Sequence, residues 1–94
     1  MKYEIMFIVR PDLEETIIKG IVKDLEEILT KEKVKIISFK EMGQRKLAYE
    51  IKKHHSGYYY LYEVEAEAQA IKEFDRLIRI NENVIRYIII NLDN

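Results

Sequence analysis

Two adjacent histidines, His54 and His55, are the side chains best suited to metal binding or proton transfer in this chain of 94 residues. Neighbours on an extended hairpin tip point apart, so they do not converge on one ion, and no cysteine is present to complete a ligand set. The two serines, Ser38 and Ser56, lie in no G-x-S-x-G turn that would expose a nucleophile. Gly20, Gly43 and Gly57 are too scattered to cradle a phosphate, and Arg10-Pro11-Asp12-Leu13 lacks the glycines of an arginine-bearing phosphate loop. The acidic pairs Glu14-Glu15 and Glu26-Glu27 fall on a helical pattern and read as a solvated face. No catalytic residue, metal site, cofactor or small-molecule substrate is expected, and the chain reads as a non-enzyme.

Charge is the second source of chemistry, and it is unevenly placed. The net charge is −1, which by itself argues against a nucleic-acid partner. Residues 31–55 nevertheless carry eight Lys or Arg against three Glu, a local +5 that leaves −6 for the rest. A locally basic hairpin can contact phosphates in a protein that is nearly neutral overall. The same lysines would also protect an edge strand from aggregation, and charge alone does not separate the two readings.

The elements that position these groups follow from apolar periodicity and sparse punctuation. At this length, one domain over residues 1–94 is expected, since domains usually take roughly 100–200 residues. Residues 3–10 read as a strand ended by Pro11, with Tyr3, Ile5, Phe7 and Val9 on one face. Asp12, with Glu15 three residues on, is the expected N-cap of a helix. That helix is expected to bury Ile17, Ile18, Ile21, Val22, Leu25, Ile28 and Leu29, leaving Lys19, Lys23, Glu26, Glu27 and Lys31 in water. Gly20 inside it signals either close packing or slack.

Residues 34–42 and 45–51 read as extended, with Gly43 as a bulge in one long strand. Ser56-Gly57 is the expected hairpin turn, and Tyr58 to Glu65 the return strand with its even-numbered residues inward. A second helix over roughly 67–79 presents Ala70, Ile71, Phe74, Leu77 and Ile78, and ends at Asn81 and Asn83, both tolerant of left-handed backbone. Residues 84–90 form a last strand that is apolar on both faces.

The order βαββαβ implies an α+β, ferredoxin-like sandwich, a four-stranded antiparallel sheet with two helices on one face. Its first and third strands are central. On the uncovered face, Met6, Ile8, Tyr59 and Leu61 would then form an apolar patch of the kind that marks a partner surface. A one-residue change of strand phase would turn the patch inward. Gly57-Tyr58-Tyr59-Tyr60-Leu61 loosely echoes an RNA-recognition strand, but Ser56 stands where a basic residue belongs and the phase turns Tyr58 and Tyr60 inward. The seven tyrosines are expected to serve the core instead.

Four segments carry a more specific signal. They are Lys2-Tyr3-Glu4-Ile5-Met6-Phe7-Ile8-Val9-Arg10-Pro11, Gly43-Gln44-Arg45-Lys46-Leu47-Ala48-Tyr49-Glu50-Ile51, Gly57-Tyr58-Tyr59 and Asn83-Val84-Ile85-Arg86-Tyr87. In this order the chain resembles the bacterial small-ribosomal-subunit protein six family over essentially its whole length. Glu50 departs from the proline that many members carry there, and the short end at Asn94 from the acidic tail of some.

The resemblance implies a non-catalytic, cytoplasmic ribosomal protein that binds the central domain of small-subunit (16S) ribosomal RNA together with ribosomal protein eighteen, on a site prepared by ribosomal protein fifteen. By motif position, Lys2, Arg45, Lys46 and Arg86 become RNA candidates, joined by Lys52, Lys53 and His54 at the hairpin end and by Arg79 at the end of the second helix. Met6, Ile8, Tyr59 and Leu61 become the candidate surface for the partner protein. Tyr3 and Tyr49 are expected to pack rather than to stack on bases. The competing reading is a homodimeric ferredoxin-like regulatory or ligand-sensing domain. No stretch approaches the roughly 18–20 apolar residues of a membrane span, and no signal-peptide layout opens the chain.

Overall fold

The computed structural model describes residues 1–93. Its elements are β1 (Lys2–Val9), α1 (Glu15–Lys31), β2 (Lys35–Ile51), β3 (His54–Glu65), α2 (Ala68–Arg79) and β4 (Val84–Asn91). The sheet is antiparallel with strand order β2-β3-β1-β4, so β1 and β3 are central as the fold requires. Tyr3, Ile5, Phe7 and Val9 of β1 and Tyr60, Tyr62 and Val64 of β3 point to the helices. There they meet Ile18, Ile21, Leu25 and Leu29 of α1 and Ala70, Ile71, Phe74 and Ile78 of α2. Both helices therefore cover one face and leave the other open.

An aromatic ladder ties three strands together beneath α1. Phe7 stacks on Tyr60 with ring centroids 5.4 Å apart, and Phe39 of β2 lies 4.6 Å from Tyr62. Such pairs add about 0.5–1.5 kcal/mol each beyond burial. The Tyr62 hydroxyl donates to Glu26 Oε1 at 3.1 Å, which gives Glu26 a structural partner rather than the purely solvated role expected of it. Burial, reinforced by that carboxylate, pushes the Tyr62 phenol above its usual range.

Several local expectations are corrected. α1 begins at Glu15, so Glu14 takes the cap position with no side-chain cap bond, and Asp12, two residues outside it, accepts two hydrogen bonds of 2.8 Å from Arg10. Ile17 is 51% exposed, since it lies off the buried stripe, and Gly20 meets nothing within 4 Å, so slack is the explanation there. Leu77 is only half-buried. Asn81 and Asn83 do not use left-handed backbone; the Asn81 side-chain oxygen accepts from the Asn83 N–H at 2.9 Å. The hairpin turn is Lys52-Lys53, not Ser56-Gly57: Ile51 pairs with His54, and φ is 49° at Lys52 and 67° at Lys53. Those two positive values match a two-residue turn of the type that follows the sheet's twist.

Candidate functional site

β2 is one strand of 17 residues, and Gly43 is its bulge, as the sequence suggests. The φ of +79° at Gly43 is open to glycine at little cost, and the pairing register shifts between Glu41 and Gly43. Beyond the bulge, Arg45 Nε donates back to the Met42 carbonyl at 3.1 Å, and Gln44 donates to the Ser56 hydroxyl at 3.1 Å. A larger slip follows. Pairing runs to Lys46↔Ser56 and resumes at Ile51↔His54, so Leu47, Ala48, Tyr49 and Glu50 leave the ladder. They cross the open face of the sheet as an arm.

Beneath the arm lies a groove of about 230 Å³, bounded by Leu47, Tyr49 and Ile51 above and by Met6, Ile8, Tyr59 and Ile88 on the sheet. This changes the expected apolar patch. The strand phase is as expected, but Ile8 is only 3% exposed, because the groove and the close passage of Gly57 enclose it. Ile8 therefore drops out of the candidate partner surface. Met6, Tyr59 and Leu61 remain half-buried and facing outward. Ile88, 45% exposed and paired with Met6, extends the patch onto β4 in the row Leu61, Met6, Ile88. Its signal in the sequence was the two-sided apolar character of β4, which had no register to place it.

The basic candidates separate into groups. Arg45, Lys46, Lys52 and Lys53 are exposed along the arm and its turn, and His54 sits half-buried just after it. Arg86, on the open face of β4, joins them through Tyr49: its Nη1 donates to the Tyr49 hydroxyl at 2.5 Å, and its guanidinium carbon lies 6.0 Å from the ring centroid. Tyr49 is thus not a packing residue; it is 61% exposed, whereas Tyr3 is buried as expected.

Lys2 lies at the other end of β1, across from Glu65, about 23 Å of strand away from Val9. Its backbone N–H donates to Asp93 at 2.9 Å. Arg79 belongs to the helix layer, where it donates to Asp75 at 2.7 Å and to the Tyr87 hydroxyl at 3.3 Å, while Tyr87 donates to Asp75 in turn. Its charge is already compensated. Among the described residues Arg10, Arg76 and Arg79 are paired with carboxylates, whereas Arg45 and Arg86 are not.

Outside this surface, a cleft of about 420 Å³ lies between α1 and β2 on the helix side. Lys19, Lys23, Glu15, Glu26 and Glu41 line it with mixed charge around Phe39. No group of three or more His, Cys, Asp or Glu suited to a metal ion occurs among the described residues. No helix among them is long and apolar enough to cross a membrane.

Comparison with known proteins agrees with the geometry. The family model described as ribosomal protein S6 matches residues 2–91. The small ribosomal subunit protein bS6 of Halalkalibacterium halodurans is 52% identical over 88 residues, which cover 94% of this chain and 93% of that protein. The crystal structure of 30S ribosomal protein S6 from Thermotoga maritima matches the fold with a TM-score of 0.89 at 32% identity, covering 94% of this chain and 83% of that one.

Proposed function

The chain belongs to the ribosomal protein S6 family, a structural protein of the small ribosomal subunit, and from that premise we propose that it binds 16S ribosomal RNA as a heterodimer with ribosomal protein eighteen. The role is architectural and non-catalytic. Arg45, Lys46, Lys52, Lys53 and Arg86 contact phosphates, while Met6, Tyr59, Leu61 and Ile88 of the open face contact the partner protein. Ribosomal protein fifteen acts only indirectly, by preparing the RNA.

The observation that carries this reading is the arm: uncompensated cations gathered on a hairpin that runs past the last β1–β3 rung, Val9↔Tyr58. Phosphate contacts position a protein without reading sequence, so specificity falls to RNA shape and to the partner. A net charge of −1 supplies little long-range attraction, which is why the partner is needed for tight binding.

The test is affinity for a transcript of the 16S central domain, with and without ribosomal protein eighteen. Weak binding alone and tight binding with the partner is expected; equal affinities would remove the cooperative model. Reversing the charges of Arg45 and Lys46 together should weaken binding and flatten its dependence on salt.

A further inference from the structure

We infer that Tyr49 and Arg86 form a nucleotide subsite, the Tyr49 ring stacking on an unpaired base and the Arg86 guanidinium taking an adjoining phosphate; this rests on the RNA-binding reading above. Large aromatic side chains left in water usually fold onto apolar surface. Tyr49 instead stands 61% exposed, anchored by the 2.5 Å bond that its hydroxyl accepts from Arg86. The anchor fixes the ring before any ligand arrives, so little conformational freedom remains to be lost on stacking.

Arg86 is the complementary half. Its neighbour is the neutral Tyr49 hydroxyl, with the guanidinium carbon 6.0 Å from the ring centroid, so its charge is not cancelled and most of its five N–H donors stay free. A phosphate oxygen pair fits that fork.

Tyr49 also stands as a ridge between two hollows. One is the apolar groove over Met6 and Ile88; the other, of about 490 Å³, is edged by Lys46, Glu50, His55 and Ser56. The second is mostly apolar, with Leu47 and Ala48 in its lining, and the polar groups of Lys46, Glu50, His55 and Ser56 offer a base donors, acceptors and a cation at its edge. An acidic segment of a protein partner would satisfy Arg86 but would leave the ring and this polar edge unused, so the single-stranded nucleotide is the better match.

The experiment compares the full chain with its Tyr49→Leu, Tyr49→Phe and Arg86→Gln variants, binding the central-domain transcript in the presence of ribosomal protein eighteen across a salt series. Tyr49→Leu should lower affinity about 5- to 100-fold with the salt slope unchanged, because stacking is lost and no phosphate contact is. Tyr49→Phe, which keeps the ring but loses the anchoring hydroxyl, should lower affinity less than Tyr49→Leu does, and a loss as large as that of Tyr49→Leu overturns stacking. Arg86→Gln should reduce the slope by about 0.7–0.9, the signature of one phosphate.

Ultraviolet cross-linking of the parent complex should yield a base adduct on Tyr49, a readout independent of how the variants fold. Adducts confined to other residues, or parent-like binding by Tyr49→Leu, overturn the subsite while leaving RNA binding intact. Weakened capture of ribosomal protein eighteen by Tyr49→Leu without RNA also overturns it, making Tyr49 a protein contact. A parent chain that binds no RNA overturns both readings.

Discussion

A Cβ added to Gly57 would sit 2.3 Å from Ile8 Cγ2 and 3.2 Å from the Val9 carbonyl oxygen, so at this point β3 approaches β1 at a separation that only glycine allows. The contact lies one residue beyond the Val9↔Tyr58 rung, where the hairpin leaves the body of the sheet. Gly57 therefore serves the base of the arm, not its turn, and it holds Ile8 beneath the arm.

Gly57→Ala should destabilise the fold by about 1–3 kcal/mol through this clash. Ile8→Ala removes the clashing methyl at its own cost of about 2–5 kcal/mol. The two should be non-additive, Gly57→Ala costing less in the Ile8→Ala background. Urea unfolding of the four proteins measures the coupling, and strict additivity would contradict the contact.

The turn carries strain of another kind. Lys52 and Lys53 both hold positive φ, where residues other than glycine pay about 1–2 kcal/mol. The double substitution Lys52→Asn with Lys53→Gly installs the asparagine–glycine pair that such a turn favours, and should raise stability by about 1–2 kcal/mol. If both lysines touch phosphates, the same variant should lower the RNA salt slope by about 1.4–1.8. A gain in stability with an unchanged slope would remove both from the RNA surface.

Arg79 and Arg86 should behave differently although both are exposed arginines. Arg79→Gln breaks the intrahelical bond to Asp75 and the bond to Tyr87 that joins α2 to β4, so it should lower Tm by a few degrees and leave the RNA salt slope unchanged. Paired melting curves and salt titrations of the two glutamine variants distinguish them. A reduced slope for Arg79→Gln would place Arg79 on the RNA after all.

The link between Arg10 and Asp12 sets an acid response. The guanidinium hydrogen bond holds the Asp12 carboxyl at about 2, below its ordinary 3.8. A depressed carboxylate contributes stability above its unfolded value and loses it as pH falls through the folded one. Asp12→Asn should therefore melt below the parent by a constant margin above about pH 4, and the margin should vanish toward pH 2. A margin that stays flat from about pH 5 down to pH 2 would show that the pairing is absent.

The alternation along β1 and β3, the apolar stripes of α1 and α2, the order of elements and the bulge at Gly43 were all legible in the sequence. Each reflects a periodicity that local geometry imposes once one face is buried. The same logic selected Met6, Tyr59 and Leu61 as outward-facing and placed an excess of positive charge on residues 31–55. Sequence order alone also carried the family resemblance.

Tertiary structure decided what depends on contacts distant along the chain. Asp12 is a good cap by local rules, yet α1 begins at Glu15 and Asp12 binds Arg10; Glu26 suits a solvated face, yet the Tyr62 hydroxyl reaches it. Ser56-Gly57 is turn-like by composition, but the clash at Ile8 explains the glycine and two lysines make the turn. Ile8 was legible as facing away from the helices but not as covered, because cover comes from a register slip at residues 47–50 that no periodicity encodes. Tyr49 and Arg86 lie 37 residues apart in sequence and meet only because that slip carries the arm across β3 and β1 to β4. Period and composition report which face a residue occupies; which residues share that face at contact distance is settled by strand register, and register is a property of the assembled sheet.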